Sequence, residues 1–151
     1  MDFYGKPATE EMEKWIGTES FARHCGIEIL RMDETGGVGR MPQKPFHFNP
    51  IKGVHGGALY SLADSIGGHA ALVWGLHHLD KKLSELTCTT VNSSVSFLRP
   101  AKGTELTCYA TYHKMGHTIA VVDISIHDYR DVEVFCGTFT FMYVDRKRFV
   151  K

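Results

Sequence analysis

The chain has 151 residues, enough for one domain with a real core, and 43% are hydrophobic against 23% charged. Seventeen basic and seventeen acidic side chains cancel, so no broad field recruits nucleic acid or an anionic membrane. We expect no signal peptide, see no apolar run near the ~20 residues of a membrane span, and expect a reduced, cytoplasmic protein.

Residues 9–23, "TEEMEKWIGTESFAR", read as an amphipathic helix that opens at Thr9 with acidic residues in its first turn. Two strands follow around 25–32 and 36–42, joined by the glycine-rich turn "DETGG". The proline-broken loop "PQKPFHFNPIKG" leads into a long helix at about 55–77. After it the period changes from helical to two. In "TVNSSVSFL", Val91, Val95 and Phe97 share one face, while Thr90, Asn92, Ser94 and Ser96 share the other. Alternation continues through "TELTCYATYH", "HTIAVVDISIH" and "VEVFCGTFTFMYV", with short turns between. Four consecutive strands of this kind predict an antiparallel meander. One long helix on one antiparallel sheet makes an α+β domain spanning 1–151, with its core at about 25–145.

The cysteines, Cys25, Cys88, Cys108 and Cys136, are scattered without metal spacing. Nine histidines is a high count, but neither His77-His78 nor His113 with His117 has a carboxylate or cysteine at ligand spacing. We therefore expect no metal.

The long helix carries the chemistry. Ala58, Leu59, Leu62, Ala63, Ile66, Ala70 and Val73 form one apolar stripe. The opposite face holds Tyr60, Ser61, Asp64, Gly67, Gly68 and Ala71, with none of the Lys and Glu of a solvated surface. A second copy of the chain is the economical neighbour for such a face. Asp64, the one formal charge between Gly53 and Leu79, then sits at an interface. There it is a candidate general base, or else a simple hydrogen-bonding group.

Gly56 and Gly57 open the helix, where unpaired N–H groups meet the positive end of the helix dipole. Without side chains there, a carbonyl can approach those donors, as an oxyanion requires. Eight residues separate Gly56 from Asp64, about 12 Å along one helix. Two groups acting on one carbonyl must each lie within about 3 Å of it. A site using both is therefore composite, with Gly56 from one subunit and Asp64 from another. Asn49, just ahead of the helix, can offer an amide to the same site.

The order Asn49, His55, Gly56-Gly57, Asp64, followed by "TTVNSSVSFLRPAKGTEL", resembles the hotdog-fold acyl-CoA thioesterases of the phenylacetic-acid-degradation type. The likeness covers about residues 45–145 and implies a long helix wrapped by an antiparallel sheet, paired edge to edge into dimers or tetramers. It implies an acyl-CoA hydrolase without a bound cofactor. Asp64 would be base or nucleophile and Gly56 N–H the oxyanion donor. Asn49 and His55 would position reacting groups, and Thr90 would orient water. Gly57 would line the substrate's approach, and Arg99, Lys102, Lys114 and the tail "DRKR" could meet CoA phosphates. Trp74, Tyr60 and Phe48 are candidate acyl walls, and the N-terminal helix is a candidate cover for one end of the site. A hotdog hydratase or dehydratase and a non-catalytic acyl-CoA-binding protein are the alternatives.

Overall fold

The computed structural model describes residues 2–7, 9–17 and 20–148. Helix α3 (Gly56–His78) is the axis of the fold. Leu59, Leu62, Ala63, Ile66, Ala70 and Val73 are all buried along it, as the apolar stripe requires. Six antiparallel strands wrap around that axis: β3 (Glu28–Asp33), β4 (Gly36–Pro42), β5 (Leu86–Phe97), β6 (Glu105–Met115), β7 (Ile119–Asp128) and β8 (Glu133–Asp145). Two short strands, β1 (Asp2–Phe3) and β2 (Lys6–Pro7), extend one edge, and β1 runs parallel to β3. Inward side chains alternate as expected in β6 and β8, where Leu106, Cys108, Ala110, Phe135, Phe139 and Phe141 are buried. Sinking a side chain such as Leu62, Ile66 or Phe139, each 0% exposed, contributes about 1.5–3 kcal/mol. Among the described residues no helix is long and apolar enough to cross a membrane.

Three features differ from the sequence expectation. The strand order is β2-β1-β3-β4-β6-β7-β8-β5, so the meander has three strands, β6 to β8, rather than four. β5 does not pair with its sequence neighbour β6. It lies at the far edge beside β8, with Leu86 opposite Asp145 and Phe97 opposite Phe135. The expected helix at 9–23 is two helices, α1 (Glu10–Gly17) and α2 (Phe21–His24), with 18–19 outside the described residues. Ser20 starts the second as its N-cap, accepting from Arg23 N–H.

The third difference concerns the small-residue face of α3. Gly67 and Ala71 are buried within the chain itself. A Cβ on Gly67 would lie 3.1 Å from Phe141, and Tyr143 donates its hydroxyl to Ala71 O at 2.6 Å. The sheet curls far enough around the helix that β8 occupies much of the face read as reserved for a second copy.

The sheet is closed at its β6–β7–β8 end by Asp128, which accepts from the Arg130 guanidinium at 2.7 Å and from Lys102 N–H at 3.1 Å. Arg130 is the main cause holding this carboxyl down at about 2, helped by the backbone donors and opposed by burial. A depressed carboxyl stabilises the fold above its unfolded value and loses that contribution as pH falls toward its folded one. Asp128→Asn is therefore expected to lower the urea midpoint at neutral pH. The gap to wild type should shrink between about pH 4 and pH 2.

Candidate active site

Asp64 lies in the third turn of α3, half-buried, with β5 running antiparallel beside it. A single row of α3, Gly56, Tyr60, Asp64 and Gly68, spaced by four residues, faces this strand. Cys88 Sγ donates to Gly68 O at 3.3 Å, and Thr90 Oγ1 donates to Asp64 Oδ1 at 2.7 Å. Ser93 Oγ and Tyr60 OH are 2.8 Å apart, and Phe97 lies where a Cβ on Gly56 would meet its ring at 3.1 Å. Strict alternation cannot place Thr90 and Ser93 on one face. A bulge between Thr90 and Asn92 inserts Val91 and reverses the alternation, so both hydroxyls point at the helix. That bulge corrects the face assignment made from sequence, which grouped Val91 with Val95 and Phe97.

Asp64 and Thr90 line a cavity of about 190 Å³ together with Trp15, Gly68, His69 and Cys88. Burial, then the nearby Asp64 charge, pushes the Cys88 thiol up to about 12, so it is a protonated wall and not a nucleophile. Burial also lowers His69, whose Nδ1 points at Ser65 O. It is a neutral imidazole at neutral pH. A larger cavity of about 780 Å³ shares Trp15, Ser65 and His69 with the first and continues past Ile16, Phe21, Ile27 and Ile29. Trp74, Tyr60 and Phe48 line neither cavity. Trp74 stacks on His78, and Phe48 bridges to Val54. The sequence carried a signal for Trp15, as the apolar side of the first helix, but none for His69.

The N-terminus of α3 is a separate locus. His55 caps the helix, its Nδ1 accepting from Gly57 N–H at 2.9 Å and its carbonyl from Ala58 and Leu59. Gly57 N–H is therefore engaged. Gly56, the first helical residue, has no acceptor one turn back for its own N–H. Asn49 folds its loop: Oδ1 accepts from Gly53 N–H at 2.9 Å, and its own N–H meets Gly53 O at 2.8 Å. Its amide nitrogen is the group left to point elsewhere. Arg99 and Lys114 are exposed and line neither cavity. In the tail, Arg146 donates to Leu83 O at 2.8 Å.

Because α3 is continuous, Gly56 and Asp64 of one chain stay about 12 Å apart. Asp64 and Thr90 come together; Asn49, His55 and Gly56 gather at the other locus. A third polar row, Ser125, His127 and Asp131, has nucleophile-triad spacing on the outer face of the sheet. There the Ser125 hydroxyl donates to Glu133 Oε1 at 2.6 Å, so its proton is not available to His127.

The family model described as "Thioesterase superfamily" matches residues 52–135, from the loop before α3 into β8. The chain belongs to the thioesterase superfamily. It is 33% identical over 109 residues to the acyl-coenzyme A thioesterase PaaI of Escherichia coli K12, covering 72% of this chain and 71% of that protein. The solved structure of E. coli PaaI superposes with a TM-score of 0.75 at 25% identity, covering 87% and 89% of the two chains. Thioesterase HI1161 of Haemophilus influenzae gives a TM-score of 0.78 at 24% identity, with 95% and 96% covered. A hypothetical thioesterase of Streptococcus pneumoniae, solved with coenzyme A, gives 0.67 at 26% identity, with 79% and 86% covered. This thioesterase-superfamily chain is thus a PaaI-like hotdog protein and a thioester hydrolase, and its helix wrapped by a sheet is the hotdog fold.

Proposed function

We propose that the protein hydrolyses acyl-CoA thioesters in sites shared between two copies of the chain. The observation that carries the reading is the 2.7 Å hydrogen bond from Thr90 to Asp64, both lining one cavity beside Trp15 and His69. Asp64, as general base, takes a proton from water that it and Thr90 orient. The resulting hydroxide equivalent attacks the thioester carbonyl, and Gly56 N–H of the second copy stabilises the oxyanion. The tetrahedral intermediate then expels the CoA thiolate, which takes up a proton, and leaves the free acid. Asp64 as a nucleophile, through an anhydride, is the other route open to the same geometry.

Two further observations support this reading. The matched relatives include an acyl-coenzyme A thioesterase and a thioesterase solved with coenzyme A. β5 ends the sheet, with Val91 and Phe97 exposed along it at 52% and 54% and Leu98 just past its end at 40%, an edge that natural sheets rarely leave open. A second copy pairing there brings another α3 N-terminus toward Asp64. In this reading the acyl group enters the groove past Trp15 and His69, and Arg99 and Lys114 meet CoA phosphates at the rim. The protein works in the cytoplasm as a dimer or tetramer, and the reaction needs only water.

The test is free-thiol release from a panel of aryl- and alkanoyl-CoA esters, read beside the molar mass in solution. Turnover by a dimer or tetramer is expected, with the preferred ester naming the acyl class. Binding of CoA esters without thiol release across the panel would refute it.

A further inference from the structure

We propose that Glu34, His77 and His78 form a zinc(II) site that ties the C-terminal end of α3 to the β3–β4 turn. Along the sequence the nearest carboxylate is Asp80, just past the helix; the one the fold brings to these histidines is Glu34, from 43 residues away. His78 Nε2 lies 3.2 Å from Glu34 Oε2, and His77 Nε2 lies 3.6 Å from Glu34 Oε1. One ligand atom from each of the three residues falls within 4.8 Å of the others. Ligands about 2.0–2.2 Å from a tetrahedral ion lie roughly 3.3 Å from one another, so small side-chain rotations complete the set.

The imidazoles are held in ligand-ready orientations. His78 Nδ1 is 3.0 Å from Trp74 O, and a carbonyl can only accept, so that nitrogen carries the proton. Nε2 is then left with its lone pair toward Glu34, the outer support that metal-bound histidines use. The Trp74 ring stacks on His78 at 4.4 Å, and Tyr4 stacks on His77 at 4.2 Å. The turn that carries Glu34 is held across it by Thr35, whose N–H donates to Asp33 Oδ1 at 2.8 Å. Both histidines lie in the last turn of α3, where the helix dipole favours a cation. Two imidazole nitrogens and one carboxylate oxygen suit zinc, whereas magnesium and calcium ask for oxygen alone. Three protein ligands leave the fourth position to water.

Thirteen residues separate Asp64 from His77, about 20 Å along α3, so the ion is a clamp and takes no part in hydrolysis. Plain histidine–carboxylate ion pairs would need protonated rings and would not respond to zinc. The test is calorimetric titration of the chelator-treated, dialysed full chain with zinc sulfate, alongside the triple variant Glu34→Gln, His77→Gln, His78→Gln. All three side chains are exposed, so the variant should fold; its circular dichroism checks this. Wild type should bind one zinc per chain with Kd of about 10 μM or tighter, and its Tm should rise with zinc. The triple variant should bind at least about tenfold more weakly and show no zinc-dependent Tm. Equal binding by the triple variant, or no zinc binding by wild type up to about 1 mM, overturns the proposal.

Discussion

Asp64→Asn is expected to cleave acyl-CoA esters about a hundredfold more slowly than wild type, or worse, with its oligomeric state unchanged. The substitution keeps the shape of the side chain and one oxygen to accept from Thr90 Oγ1, which donates to Asp64 Oδ1 at 2.7 Å. What it removes is the basic oxygen that takes the proton from water. Because the partner hydroxyl is retained, a large loss reports the chemistry and not the collapse of β5 against α3. Thr90→Ala should cost less, about ten- to a hundredfold, the range for a hydrogen bond to a charged group. Thr90→Ser should restore most of it. If the two groups act on one water, Asp64→Asn combined with Thr90→Ala should be little slower than Asp64→Asn alone. Single-turnover thiol release, free of product dissociation, is the measurement. Wild-type rates in Asp64→Asn would end the proposed mechanism.

Gly56→Pro is expected to lower kcat by about a hundred- to a thousandfold, the usual loss when one oxyanion donor is deleted. Proline is well tolerated at the first position of a helix, where the missing N–H had no internal acceptor. His55 already has the extended backbone, φ −65 and ψ 134, that a following proline demands. Thus α3 should form normally, but the added Cβ meets the Phe97 ring at 3.1 Å and makes it give slightly, so Gly56→Ala, with the same Cβ and the N–H kept, is the control that isolates the donor. Circular dichroism should be unchanged while thiol release collapses.

Mixing the two inactive variants then tests the sharing of the site. In a mixed dimer, the Gly56→Pro chain brings an intact Asp64 to the intact Gly56 of the Asp64→Asn chain. Random re-pairing makes half of the dimers mixed, each with one intact site of two, so about a quarter of wild-type activity should return. No recovery after verified exchange would overturn the shared site.

The parts legible in sequence were those written in local pattern. The apolar series from Leu59 to Val73 gave α3, and the alternations in β6 and β8 gave their buried faces. The lone Asp64 and the glycine-opened helix marked the two candidate loci. What stayed hidden was non-local. No local signal tells β5 to skip β6 and pair with β8, because a strand's neighbour is chosen by the whole sheet. The Val91 bulge is equally silent, yet it decides that Thr90 faces Asp64. Similarly, nothing in "DETGG" announces that Glu34 meets His77 and His78.

The position of β5 has a consequence for how the chain is made. It leaves the ribosome well before β8, the strand it must pair with, and their contacts span 38 residues, from Phe97 to Phe135, up to 59, from Leu86 to Asp145. Pairings that close such large loops are slow to form. Until β8 is made, β5 has no mate within the chain, and α3 lacks the Phe141 and Tyr143 wall that covers its glycines. A nascent chain therefore holds its Asp64 helix half-clothed through most of translation. A stop codon anywhere before β8 leaves that state permanent, a target for chaperones and proteases.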